Sequence, residues 1–324
     1  MAQNILSKKN KIVNLIKRIL NTKFILLLVI LYLMICLIVN PVKYIDSASI
    51  GISIWANTLL PSLLPFFILT KIVSELNVYE SLSKFFGKPI QQIFNTSPKA
   101  SLIFFISILS GYPIGSKIVA DEYKSGKINY TDLHRIITFT SVSGPLFIIG
   151  TVGTNMLQNI TFGYIIIISH ILSAILNGVC YKNYTPKMQY KYNIQSLKYE
   201  NKNVLICAVK SSIDSILVIG GLVCIFFVGM EAISSLFNVN PIVQGIIEIT
   251  KGCYEISISN YSDNIKVVIC TGLITFGGFC IHSQAMSFLK DCNVSYKFFF
   301  LQKLTQTLFS IIIAYTLTTM YSII

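Results

Sequence analysis

The sequence predicts an all-α polytopic membrane protein built from two inverted-topology repeats, each with a broken, re-entrant helical hairpin. Three observations carry this. The chain is 53% hydrophobic and 12% charged, with a mean hydropathy of +0.68. Apolar runs approaching the roughly 20 residues that cross a bilayer recur along it. Two of these runs, 106–117 and 274–284, are interrupted midway by glycines and small polar residues. In lipid every backbone N–H and C=O must be satisfied, so such interruptions survive only inside protein or beside a wet cavity. A matched pair of them in two halves points to a binding site of the transporter kind.

The elements follow in order. Residues 1–23 form a basic segment with Lys8, Lys9, Lys11, Lys17, Arg18 and Lys23, and 24–40 an anchoring transmembrane helix. No Ala-x-Ala site follows the anchor, so an uncleaved helix is expected rather than a signal peptide. Apolar runs then fall at about 49–70, 100–116, 136–157, 161–180, 204–236, 266–289 and 298–322. The helix over 49–73 contains Pro61 and Pro65 four apart, which free carbonyls that Asn57, Thr58 and Ser62 can re-satisfy. Lys182, Lys187, Lys191, Lys198 and Lys202 crowd the loop 182–203.

Residues 45–181 and 204–324 read as the two repeats. Aligning Gly111 with Gly278 pairs Tyr112 with Phe279, Ser116 with Ser283 and, after a one-residue gap, Tyr130 with Tyr296. If the N-terminus is cytoplasmic and both breaks are re-entrant, the basic loop 182–203 is cytoplasmic, as the positive-inside rule requires. The two units then run in opposite directions. The same assumption places 290–303, with Lys290, Lys297 and Lys303, on the outside, against that rule.

The net charge of +13 gathers beside spans, which is topogenic and argues against nucleic-acid binding. The eight cysteines have no CxxC or Cys/His ligand spacing, so neither a disulfide framework nor a metal site is expected. No catalytic residues are expected, since no nucleophile–base pair, carboxylate pair or phosphate loop stands out, and no cofactor is implied. Lys210 and Asp214, four apart, are expected to pair. Asp121 and Glu122 are expected to face water, and Glu231 to reach the interface.

The candidate substrate-binding residues lie at the interruptions. Ser110, Gly111, Tyr112, Pro113, Gly115 and Ser116 form the first, where glycines let backbone approach a ligand; tight helix packing is the alternative. Gly277, Gly278, His282, Ser283 and Gln284 mirror it. Ser143 and Gly144, in the run Ser141–Pro145, form another cavity wall, and Asn57 adds a polar contact.

Residues 57–67, 110–117 and 143–150, with Glu248 to Gly252 and Phe276 to Ser283, closely resemble the YlbJ-type sporulation integral membrane proteins. The resemblance covers about 45–320. It implies a nucleoside-recognition Gate domain, similar to parts of concentrative nucleoside transporters and of the ferrous-iron transporter. It also implies a multi-pass protein of the cell membrane, around the developing spore in a sporulating cell, that serves spore maturation including the cortex. This chain has Thr140-Ser141-Val142 where relatives favour asparagines, so a polar contact is expected to be altered there. A transporter or permease for a small polar solute is the expected function, and a non-transporting scaffold for spore-envelope machinery the alternative. Expected partners are the lipid bilayer, the solute and sporulation proteins, with oligomerisation left open.

Overall fold

The computed structural model describes residues 22–75, 87–187 and 204–322. Most of the basic N-terminal segment, residues 76–86 of the first loop and most of the basic loop 182–203 lie outside these, as do the side chains of Thr58 and Ser62. Among the described residues the regular structure is helical throughout. Among the described residues four helices are long and apolar enough to cross a bilayer, or five spans if the bent pair Leu26–Val39 and Pro41–Asn57 counts as one. The chain is thus a multi-pass membrane protein.

Helix α1 (Thr22–Val39) meets α2 (Pro41–Ile54) at a bend of 111°. Pro41 fits the first turn of α2, where its missing N–H costs nothing. The single helix expected over 49–73 is instead α2, a π-helical turn (Trp55–Leu59) and α3 (Leu60–Glu75). The turn falls just before Pro61, whose missing N–H leaves the carbonyl four residues earlier without its helical partner. It aims Trp55 inward, where the indole N–H donates to Ile216 O at 2.9 Å.

Helix α4 (Ala100–Ser110) and α5 (Ile114–Lys124) form a hairpin whose tip is Gly111-Tyr112-Pro113, with a cis Tyr112–Pro113 bond. Both of its open ends lie together, since Lys99 Nζ reaches Lys127 O at 3.5 Å. Helix α6 (Tyr130–Thr140) then breaks over 141–144 and resumes as a π-helix (Leu146–Met156), followed by α7 (Ile160–Tyr181).

In the second half, α8 (Val204–Leu236) leads to a short hairpin, α9 (Pro241–Ile247) and α10 (Ile249–Ser257). Gly245 and Gly252 let its two arms touch backbone to backbone. Glu248 turns the tip and caps α10, its carboxylate accepting from Lys251 N–H at 2.8 Å. Helix α11 (Asp263–Phe276) and α12 (Gly278–Leu289) follow, then α13 (Tyr296–Tyr321).

Here the re-entrant expectation at 277–284 is corrected. Helices α11 and α12 run on as one 30-residue span, Asp263–Cys292, so the glycines interrupt the hydrogen-bond ladder without turning the chain back. The hairpin of the second half is α9/α10, and Ile247 and Ile249 at its tip abut Gly278. Gly111 and Gly278 are therefore not equivalent positions, one being a hairpin tip and the other a point inside a crossing.

The connections sort into two ends. At one, Arg135 donates to Asn95 O (2.6 Å) and Tyr184 O (3.0 Å), Tyr130 OH donates to Asn293 O (2.9 Å), and Lys124 pairs with Asp291 (3.2 Å). The rings of Tyr181 and Tyr184 pack on Phe298 at the same end. At the other, Phe162 meets Tyr321, and Glu231 pairs with Lys43 (3.0 Å) and Lys251 (3.6 Å). The segment starting at Lys290 thus shares an end with 182–184, which overturns its expected separation from the basic loop; the crossing at Gly277 is the cause.

Three charge expectations also change. Lys210 and Asp214 are both exposed and do not pair. Glu122 is fully buried rather than wet. Asp121 pairs at 3.0 Å with Lys117, itself buried beneath Phe67 and Phe288.

Candidate functional site

Three chain interruptions meet in the interior. Gly111 has φ +80 and ψ −169, a region kept for glycine, and its backbone touches that of Gly144, so a side chain at either position meets the other strand. The hairpin tip is thereby seated against the break that follows α6. At the third interruption, Gly277 at φ +90 ends α11 and leaves carbonyls of its last turn without helical partners. Tyr112, at the hairpin tip, offers its single hydroxyl proton to two of them, its oxygen lying 3.3 Å from Ile274 O and 3.2 Å from Thr275 O.

The same hydroxyl accepts from Lys303 Nζ at 2.8 Å. Lys303 is 1% exposed and comes from the interior of α13. Its amine also donates to Ser141 O (3.0 Å), a carbonyl released by the break after α6, and to Gln306 Oε1 (2.8 Å). Three acceptors match the three N–H groups of an ammonium. All three are neutral, and among the described residues no carboxylate lies within ion-pair distance of it.

His170 ties the remaining pieces together. Ser143 N–H donates to its Nε2 at 2.8 Å, so the ring proton belongs on Nδ1, which donates to Thr275 Oγ1 at 2.9 Å. Helices α7 and α13 face each other through two polar stripes of identical spacing. One is Ser169, His170, Ser173 and Asn177; the other is Gln302, Lys303, Gln306 and Ser310. Asn177 links them by donating to Gln302 Oε1 (3.2 Å) and Thr138 O (2.8 Å) and accepting from Thr305 (2.6 Å).

Not every polar atom here is satisfied. Ser110 Oγ, Ser141 Oγ, Gln302 Nε2 and Gln306 Nε2 are buried without a hydrogen-bond partner. Such groups are uncommon in folded proteins and each calls for an explanation.

Of the residues singled out in the sequence, the structure brings together Ser110, Gly111, Tyr112, Pro113, Ser143, Gly144, Gly277 and Gly278. Gly115 serves packing, because a side chain there would strike Thr140 O on α6, and Ser116 is buried on α5. Asn57 does not belong to the junction; it is exposed on the π turn and bonds Ser53 at 3.0 Å, since the turn spends its inward position on Trp55. Gln284 is buried against Cys280.

His282 and Ser283 line a different feature, a cavity of about 260 Å³ shared with Phe279, Met286, Lys290 and Tyr296. His282 is held by Phe276 O at 2.9 Å and Tyr296 OH at 3.3 Å, within a ring of aromatic side chains. Lys303, His170, Thr275 and Gln306 were missed. Their signal is the polar stripe at helical spacing on two otherwise apolar helices.

No family model matches the chain, and no solved structure does. A curated relative does: the sporulation integral membrane protein YlbJ of Bacillus subtilis (strain 168) is 24% identical over 321 residues, covering 86% of this chain and 79% of the relative. The similarity to a sporulation integral membrane protein thus extends over most of the chain.

Proposed function

We propose that this chain is a transporter- or permease-like protein that binds and moves a small polar solute during sporulation. The observation that carries the reading is the meeting of three interrupted segments on Tyr112 and Lys303, deep among apolar helices. Broken backbone and a buried lysine with only neutral partners are both expensive in a bilayer, and such features mark solute and ion pathways.

The order of elements supports an inverted repeat. Each half reads long helical segment, hairpin, broken helix, long helix: α2–α3, α4/α5, α6 with the π-helix, and α7; then α8, α9/α10, α11/α12 and α13. The hairpins enter from opposite ends. Gly144 precedes the stripe at Ser169 by as many residues as Gly277 precedes the stripe at Gln302, so His170 and Lys303 are counterparts. These halves are the two Gate-like repeats. Lys99, Lys127, Lys182 and Lys290 gather at one end, which is accordingly the cytoplasmic face.

The test is thiol accessibility on a cysteine-free background. Single cysteines at 110–113, 141–144 and 275–278, probed with small hydrophilic reagents, label from at least one side if the junction borders a wet path. Protection at all three segments defeats the reading.

A further inference from the structure

The junction has a buried lysine amine but, among the described residues, no carboxylate paired with it. Lys303 Nζ is bonded only to neutral acceptors. Two of the residues that hold it, Ser141 and Gln306, are 2% and 0% exposed, and each keeps a second polar atom, Oγ and Nε2, with no partner. An amide NH2 can only donate, and a hydroxyl can donate. What is left over beside the ammonium is therefore donor capacity. A neutral polar solute could engage those donors, yet it would bring no countercharge to the protonated amine, whose positive charge is costly in a medium of low dielectric. A cation would add to it. An anion answers both needs at once, and charge-assisted bonds from an ammonium, an amide and a hydroxyl are its natural cradle.

We propose that the solute held at this junction is a small anion bearing a carboxylate or phosphate group, its oxygens taken by Lys303 Nζ, Ser141 Oγ and Gln306 Nε2. This rests on the reading of the junction as a solute site. Because the three N–H groups of Lys303 are already donated, the anion displaces one acceptor. Tyr112 is the acceptor on the hairpin tip, so occupancy loosens that tip from α13.

The experiment is thermal unfolding of the purified full-length protein in detergent with sodium acetate, sodium phosphate or acetamide, against sodium chloride at matched ionic strength. Acetate or phosphate is expected to raise the melting temperature by about 4 °C at a hundredfold excess over Kd. Acetamide, the uncharged isostere of acetate, is expected not to. Lys303→Met abolishes the rise, and Ser141→Ala and Gln306→Leu, which keep the charge, each weaken apparent affinity about tenfold. A rise with acetate but not phosphate, or the reverse, assigns the group. Equal rises with acetamide and acetate overturn the anionic class and leave the solute site standing. No rise with any probe overturns the anion, while the thiol-accessibility result decides the solute site separately. A rise that survives in all three variants marks an adventitious effect and also overturns it.

Discussion

The Tyr112 hydroxyl accepts a hydrogen bond from Lys303 Nζ at 2.8 Å while facing the carbonyls of Ile274 and Thr275. One oxygen thus joins the tip of the first hairpin to two helices of the second half. Tyr112→Phe keeps the ring but removes the acceptor of one Lys303 N–H and the one proton shared by the Ile274 and Thr275 carbonyls. Loss of a buried partner costs about 1–3 kcal/mol, and a denaturant titration of the detergent-solubilised protein should register that drop.

Gly111 and Gly277 both have positive φ but differ in space. At Gly277 an added methyl finds ordinary contacts at 3.4 Å or more, so Gly277→Ala should cost about 1–2 kcal/mol from backbone strain alone. At Gly111 it would also strike Gly144 N. Gly111→Ala should therefore lower the melting temperature more than Gly277→Ala, and equal losses would contradict the close approach of the two breaks.

Trp55 and Asn57 share a π turn yet point apart. Trp55→Phe loses the bond to Ile216 O and should cost about 1 kcal/mol, while Asn57→Ala, on the exposed side, should stay within about 0.5 kcal/mol. Unfolding measurements on the pair would show whether the turn is oriented as described.

Sidedness can be read directly. Single cysteines replacing Lys127, Tyr184 and Asn293 should react with a membrane-impermeant reagent from one side, and cysteines replacing Asn240 and Lys266 from the other. Labelling of Asn293→Cys together with Lys266→Cys would mean that α11/α12 turns back after all.

The class, the number of apolar runs and the interruptions were legible because lipid imposes lengths and forbids unsatisfied backbone. What an interruption does was not. Gly111-Tyr112-Pro113 reverses the chain whereas Gly277-Gly278 lets it run on, and both look alike as small residues in an apolar run. The second hairpin was hidden because its arms, of seven and nine residues, are too short to register as spans. Lys303 was read as part of a polar connection because Lys290 and Lys297 precede it. Its depth becomes visible only when Gln302, Gln306 and Ser310 are seen to share its helical face.

The position of Lys303 well after two of its partners in the sequence bears on how the molecule is assembled. Helix α13 is the least apolar of the four single crossings, and it carries an amine that lipid alone would reject. Two of that amine's acceptors, Tyr112 and Ser141, were synthesised more than a hundred and fifty residues earlier, and the third travels on α13 itself. Helix α13 is therefore admitted by a docking place that the helices before it have prepared. Until it arrives, the first hairpin lacks its anchor, and a chain truncated before α13 would present an incomplete interior to membrane quality control.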